Sequence, residues 1–409
     1  MTPPRHQVPR GTYDLLPEEA ATRRRIVEEA RRLAESSGFG QIETPVFEDT
    51  EVFARGVGES TDIVQKEMFT FEDKGGRSLT LRPEGTAGTC RAYIEHGMHK
   101  LPQPVKLFYD GPFFRHEAPQ AGRYRQFTQI GAEAIGSEDP TLDAELILTL
   151  AEILREAGVP DARLRLSSLG SPETRAAYLD ELKAHLRAHE GELSDEVRAR
   201  IDQNPLRAFD TDHPGTAAVM ESAPLLLDRL ASDDAEHFAA VRGLLDDAGV
   251  AYDLDPTLVR GLDYYTRTVF EFESERLGAQ RGVAGGGRYD RLVEQLGGPA
   301  TPGVGWAAGV ERILLAAEAK PGERPKSIFI SYASPEKSRE AFQIATDLRR
   351  RGLYVFIEQA GRSVKGQFKH ADRLGVATVV IVGDEIEVKD MESGKQRPAS
   401  RDDVLKELA

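Results

Sequence analysis

The chain has 409 residues, 40% hydrophobic and 30% charged, with a formal net charge of −15. That length exceeds one ordinary core, so two or three domains are expected, and the acidic balance argues against a protein that coats nucleic acid through bulk electrostatics. Cys90 is the only cysteine, which excludes an internal disulfide and a cysteine-built zinc site, and no apolar run nears the roughly 20 residues that span a bilayer.

In chain order, the first ten residues lack the apolar stretch of a secretory signal, so a cytoplasmic enzyme with no membrane partner is expected. Residues 20–37 interleave charges with Ile26, Val27, Ala30, Leu33 and Ala34, an amphipathic helix stopped by Gly38. Residues 69–82 predict a hairpin turning at Asp73-Lys74-Gly75-Gly76. Residues 105–114 and 124–135 form a second strand pair around a polar loop, and 142–156 read as a helix. Residues 170–250 lose alternation and carry Ala, Leu, Glu and Arg at helical spacing, broken by Pro205, Pro214 and Pro224, which indicates a helical insertion. Strand signals resume near Thr257 and run through Gly285-Gly286-Gly287. The run from Gly303 to Arg312 opens a helix continuing over 310–319. Residues 319–325, rich in Pro and Gly, are the expected linker. Beyond them, strands at 327–332, 353–357 and 376–382 alternate with helices at 335–351 and 363–374. A hairpin around Glu392-Ser393-Gly394 and a short helix follow, as in a small α/β domain with a largely parallel sheet. From 326 to 409 there are 15 basic and 13 acidic residues, leaving −17 on the rest; within 337–373 the count is 9 basic to 4 acidic. A local basic face suits one polyanion held at one place.

Several clusters point to one chemistry. Leu258-Val-Arg260-Gly261-Leu-Asp263-Tyr264-Tyr265-Thr266 sets a guanidinium and two phenols at a strand mouth. Arginine grips phosphate or carboxylate with two bonds, and paired phenols close a small polar pocket. An exposed arginine beside core tyrosines would give the same run, so the reading rests on convergence. Arg115 and Phe127 fall on neighbouring strands, one suited to a phosphate and the other to stacking on a planar base. Gln129 and Glu133 follow Phe127 at even spacing and share its face. Glu84 and Thr86 stand at a helix start, able to receive an ammonium group or simply to cap the helix. Arg312 is a candidate for a triphosphate tail. No Walker lysine motif, Gly-x-Ser-x-Gly or dinucleotide fingerprint is present, and His96/His99 and His185/His189 lack a third ligand.

These residues resemble the histidyl-tRNA synthetases, of the class II aminoacyl-tRNA synthetase architecture. The likeness runs from Arg10-Gly-Thr-Tyr-Asp-Leu-Leu-Pro17 to the C-terminus. The segment around Pro45 resembles motif 1, Phe114-Arg115-His116-Glu117 through Phe127 motif 2, and Gly305 to Arg312 motif 3. Arg260-Gly-Leu-Asp-Tyr264-Tyr265 and Gly286-Gly287-Arg288-Tyr289-Asp290 resemble the peptides particular to the histidine enzymes, and Trp306 stands where phenylalanine is expected. The resemblance implies an α/β multi-domain fold. A class II catalytic domain spans 1–320, with a mainly antiparallel sheet flanked by helices and the insertion at about 170–250. A C-terminal α/β anticodon-binding domain spans 326–409. It also implies a homodimer, ATP-dependent activation of L-histidine and transfer to tRNA(His), with Mg2+ accompanying the ATP phosphates.

By the same resemblance Arg115 and Arg260 grip the α-phosphate and the substrate carboxylate, Arg312 the γ-phosphate, and Phe127 the adenine. Glu84, Thr86 and Gln129 hold the α-ammonium, and Glu133 with Tyr264 and Tyr265 forms the imidazole pocket, which Tyr289 also lines. Gln120, Arg123 and Arg125 reach the tRNA acceptor end, and no dedicated metal ligands are implied. The alternative is a non-catalytic regulatory paralogue of histidine biosynthesis. Such proteins lack the C-terminal domain and usually the arginine–tyrosine peptide, both present here.

Overall fold

A computed structural model describes residues 6–58, 61, 63–118, 120–258, 262–278, 280–318 and 326–408, with the backbone alone at Asp210. Two compact units form, Met1–Lys320 and Pro321–Ala409. The expected linker at 319–325 lies outside the described residues.

The first unit is built on an eight-stranded sheet. Its strands lie in the order Gly40–Gln41, Val105–Phe114, Gln126–Ile135, Gly303–Gly309, Gly282–Arg288, Thr266–Glu273, Arg163–Ser168 and Tyr252–Leu254. All neighbours pair antiparallel except the two outermost pairs. The expected pair at the motif 2 segment aligns without a slip from Val105↔Ile135 to Phe114↔Gln126. A three-stranded sheet holds Phe47–Asp49 and the hairpin Phe69–Glu72/Ser78–Leu81.

One face of the large sheet is covered by the helices Pro17–Ser36, Pro140–Glu156, Ser232–Asp247 and Val310–Ala316, which pack Ile26, Leu150, Val241 and Ile313 against Phe108, Ile130, Phe270 and Trp306. The opposite face meets the helix Thr86–Glu95 and the insertion helices, through Tyr93, Tyr178 and Leu182. The insertion is helical as expected, but only its middle is broken into short helices; Pro172–Ala188 and Ser232–Asp247, which bound it, have 17 and 16 residues.

One element differs from the sequence reading. Gly303 to Gly309 is a strand inside the sheet, and the helix begins only at Val310. The glycines that suggested a helix entry instead let the strand lie against bulky cross-strand neighbours.

The second unit has a five-stranded sheet in the order Tyr354–Ile357, Ser327–Tyr332, Thr378–Val382, Ile386–Asp390, Gln396–Ala399. The first three run parallel, and the last two add antiparallel through the hairpin. Helix Ser338–Arg350 buries Ala341, Ile344 and Leu348 on one face, while Val364–Leu374 covers Phe329 and Val379 on the other.

Candidate active site

Alternation sets what faces the open side of the large sheet. Along Gln126–Ile135, Ile130, Ala132 and Ala134 enter the helix-covered core. Phe127, Gln129, Gly131 and Glu133 therefore point the other way. Two glycines make room there. Gly305 stands across from Glu133, and a Cβ on it would collide with Glu133 Oε2. Gly131 stands across from Tyr109, and a Cβ there would collide with the phenol ring.

Glu133 is fully buried and is held by three hydroxyls. Thr86 Oγ1 donates to Oε1 at 2.7 Å, Tyr109 to the same oxygen at 3.2 Å, and Tyr289 to Oε2 at 2.6 Å. Burial outweighs these donors and pushes the carboxyl up to about 8, with the nearby Glu84 charge adding to the rise. Glu84 itself accepts from the backbone amides of Thr86 and Ala87 at 2.6 and 2.9 Å. It thereby satisfies two orphan donors at the start of helix Thr86–Glu95, and burial raises its pKa as well. The ring of Tyr264 lies 5.9 Å from that of Tyr289 and 4.8 Å from that of Tyr265.

The cations sit beside this cluster. The Arg115 guanidinium lies 5.6 Å from the Phe127 ring centroid, and its Nε donates to the Pro83 carbonyl at 2.9 Å. Arg312 Nε donates to the Gly282 carbonyl at 2.6 Å, and burial lowers its pKa. Gln129 Oε1 is buried without a hydrogen-bond partner among the described residues, an acceptor suited to a ligand N–H.

A cavity of about 450 Å³ gathers most of the expected site residues. Glu84, Thr86, Gln129, Tyr264, Tyr265 and Tyr289 line it, as do Arg115, Arg123, Phe127 and Arg312. Glu133 lies behind the wall, reached through Thr86 and Tyr289. Of the three residues expected to form the imidazole pocket, Tyr264 and Tyr265 line the cavity, while Glu133 bonds Thr86, Tyr109 and Tyr289 behind it. Gln120 is tied to Gln280 at 2.9 Å, Arg123 to Glu117 at 2.8 Å, and Arg125 to the carbonyls of Glu117 and Arg10, each at 3.5 Å. Arg260 lies outside the described residues.

Sequence reasoning passed over Tyr109, Glu311 and Arg207. Tyr109 had a signal, since it falls opposite Gly131 once the two strands are aligned. Glu311 accepts from the Thr128 amide at 3.0 Å and from Tyr13 at 2.9 Å, fixing the N-terminal run against the cavity. Arg207 reaches the cavity from the insertion, and no local pattern announces it.

The family description "Histidyl-tRNA synthetase" matches residues 11–313, and "Anticodon binding domain" matches 327–409. The histidine–tRNA ligase of Rubrobacter xylanophilus is 50% identical over 407 residues, covering 96% of each chain. That of Desulforamulus reducens is 46% identical over 402 residues, again 96% of each. The apo histidyl-tRNA synthetase of S. aureus is 36% identical and superposes with a TM-score of 0.83, over 98% of this chain and 99% of that one. With cavity, sheet and sequence in agreement over nearly the full length, the chain belongs to the histidyl-tRNA synthetase family.

Proposed function

We propose that the chain activates L-histidine with ATP and transfers the histidyl group to the 3′ end of tRNA(His), releasing AMP and pyrophosphate. The observation that carries this reading is one cavity lined both by the hydroxyls and carboxylate around Glu133 and by Arg115, Phe127 and Arg312. A histidine carboxylate oxygen attacks the α-phosphorus, and the bond to the pyrophosphate oxygen breaks. Charge spreads over the α-phosphoryl oxygens, so fixed cations contribute most. Arg115 and Arg260 take the α-phosphate and substrate carboxylate, Arg312 the γ-phosphate, and Phe127 stacks on adenine. Gln129, with its unmatched oxygen, takes the α-ammonium together with Glu84 and Thr86. Tyr264, Tyr265 and Tyr289 bound the imidazole, backed by Glu133.

Among the described residues no cluster of three His, Cys, Asp or Glu could hold a metal alone. Magnesium instead fits as a companion of the nucleotide phosphates, and Glu117 and Glu271 of the cavity wall are the carboxylates that would help to hold it. When bound it would neutralise phosphate charge. Gln120, Arg123 and Arg125 meet the tRNA acceptor end, Arg123 exchanging Glu117 for phosphate. The catalytic domain corresponds to 1–320 and the anticodon domain to 326–409, whose basic stretch at 337–373 supports a tRNA contact. A homodimer is supported by exposed Phe47 and Phe71 on the three-stranded sheet and by Val46 just before it. No helix of the described residues is long and apolar enough to cross a membrane. The cytoplasmic assignment rests instead on the proposed use of ATP and tRNA.

The test is ATP–pyrophosphate exchange by the full chain with each of the twenty amino acids and no tRNA. Exchange with histidine alone is expected. Exchange with another amino acid in preference to histidine overturns the reading.

A further inference from the structure

Among the described residues Arg267 is the one non-glycine residue with positive φ, at 44°. It comes two residues after Tyr265 and lies inside a bulge, where the pairing slips between Gly287↔Val269 and Arg288↔Thr266. Bulges re-aim neighbouring side chains, and a side chain in this conformation persists only when its surroundings over-determine it.

The surroundings here belong largely to the insertion. The Arg267 amide donates to the Gly170 carbonyl at 2.8 Å, and the Leu169 amide to the Arg267 carbonyl at 2.7 Å. Arg267 Nε donates to Asp234 Oδ1 at 3.1 Å. Asp234, buried at 2% exposure, uses its other oxygen to accept from the Ser171 amide at 2.7 Å and the Thr174 hydroxyl at 3.0 Å. One carboxylate thus joins helices Pro172–Ala188 and Ser232–Asp247 to the bulge. A second link runs from Arg175 Nη1, on the first of these helices, to the Tyr265 carbonyl at 3.3 Å. The sheet side closes the frame, because Thr266 Oγ1 donates to Asp290 at 3.0 Å and Arg288 Nη1 to the same carboxylate at 3.1 Å.

We propose that Asp234 and Arg175 are positioning residues through which the helical insertion holds the Tyr264–Tyr265 turn in its histidine-binding shape. This rests on the reading that those tyrosines bound the histidine site. Without the Asp234 link the bulge keeps only the two backbone bonds of Arg267 and the exposed Glu138 contact at 3.3 Å, a looser frame in which Arg267 relaxes towards negative φ and shifts the turn relative to Tyr289. Arg115 directly follows the strand Val105–Phe114, Phe127 lies on Gln126–Ile135 and Arg312 on helix Val310–Ala316, so these three ATP groups, which lie outside the turn, stay in place. The loss therefore falls on histidine rather than on ATP.

The experiment measures KM for histidine and for ATP separately, by pyrophosphate exchange with full-length protein. Asp234→Ala should raise the histidine KM by about 10- to 10²-fold, the size expected when binding groups shift by about 1 Å, with the ATP KM held within about twofold. Adding Arg267→Gly should recover most of that loss, because glycine adopts positive φ without a pin; a general packing defect would gain nothing from it. Should Asp234→Ala fail to fold, Arg175→Met removes the bond to the Tyr265 carbonyl together with the charge that faces Asp263 in the same turn, and should shift the histidine KM in the same direction. Equal rises in both KM values, or an unchanged histidine KM in folded protein, overturn the proposal. Tyr264→Phe separates the two layers. If it raises the histidine KM while Asp234→Ala does not, the positioning role fails alone; if it has no effect, the pocket reading beneath fails with it.

Discussion

Tyr289 and Glu133, 156 residues apart in sequence, meet through a 2.6 Å hydrogen bond behind the cavity wall. The phenol comes from the glycine-rich strand end and the carboxylate from the motif 2 strand, so the bond ties two of the family's peptides into one polar centre. Burial raises the Tyr289 hydroxyl well above its ordinary range, with the Glu133 charge second, so it remains a donor at neutral pH.

A buried centre of this kind sets amino-acid choice. Thr86 and Tyr289 donate their hydroxyl protons to Glu133 and turn acceptor lone pairs to the cavity, which a side chain without an N–H would leave unpaired, and such sites reject analogues by roughly 10⁴–10⁵. Glu133→Gln should therefore weaken histidine binding while leaving ATP binding nearly intact, as read by the two KM values in pyrophosphate exchange. Equal losses for both ligands would assign Glu133 a purely structural role.

The same carboxyl makes stability depend on pH. Folding raises its pKa from 4.5 to about 8. A carboxyl raised on folding contributes its full stability below the unfolded value and loses it as pH climbs through the folded value. Between pH 4.5 and about 8 the wild-type melting temperature should fall relative to that of Glu133→Gln, and the gap should level off above that range. Parallel melting curves across this window would contradict the assigned ionisation.

Gly305 tests the packing that admits the carboxylate. Its Cβ would run into Glu133 Oε2 and the Ala132 carbonyl, and the latter cannot rotate away. Gly305→Ala should cost about 1–3 kcal/mol, the usual range for overpacking, and raise the histidine KM. An unchanged melting temperature and KM would show that the strands separate freely at this point.

Much of this arrangement is legible in the sequence. The motif 2 strand pair was readable because its register is continuous, so even spacing from Phe127 to Glu133 carried directly into a shared face. Gly303–Gly309 reads as a helix entry in the sequence but is a strand, because small residues permit close approach in either setting. What decides between them is the neighbour across the sheet, Glu133 for Gly305, which local pattern does not contain. Glu84 shows a similar ambiguity, since the carboxylate that lines the cavity also caps its helix. The Asp234–Arg267 link was illegible, because it depends on a bulge and on two helices meeting far along the chain.

The two compact units predict separable activities. A protein ending at residue 321 keeps Arg115, Arg260 and Arg312 and should still support histidine-dependent exchange. Charging of tRNA should fall much further, and full-length binding should weaken with salt as phosphate contacts release counterions. Unchanged charging efficiency and salt dependence after truncation would remove the C-terminal unit from tRNA recognition.

The most direct test of the whole account is transfer itself: labelled histidine, ATP and transcribed tRNA(His) incubated with the full-length protein, with label on the tRNA as the readout. The account predicts ATP-dependent label on tRNA(His), with none when ATP is omitted or when another labelled amino acid replaces histidine. Histidine-dependent exchange with no label reaching tRNA(His) would contradict it, since the chain would then be an amino-acid-activating ligase with a different acceptor.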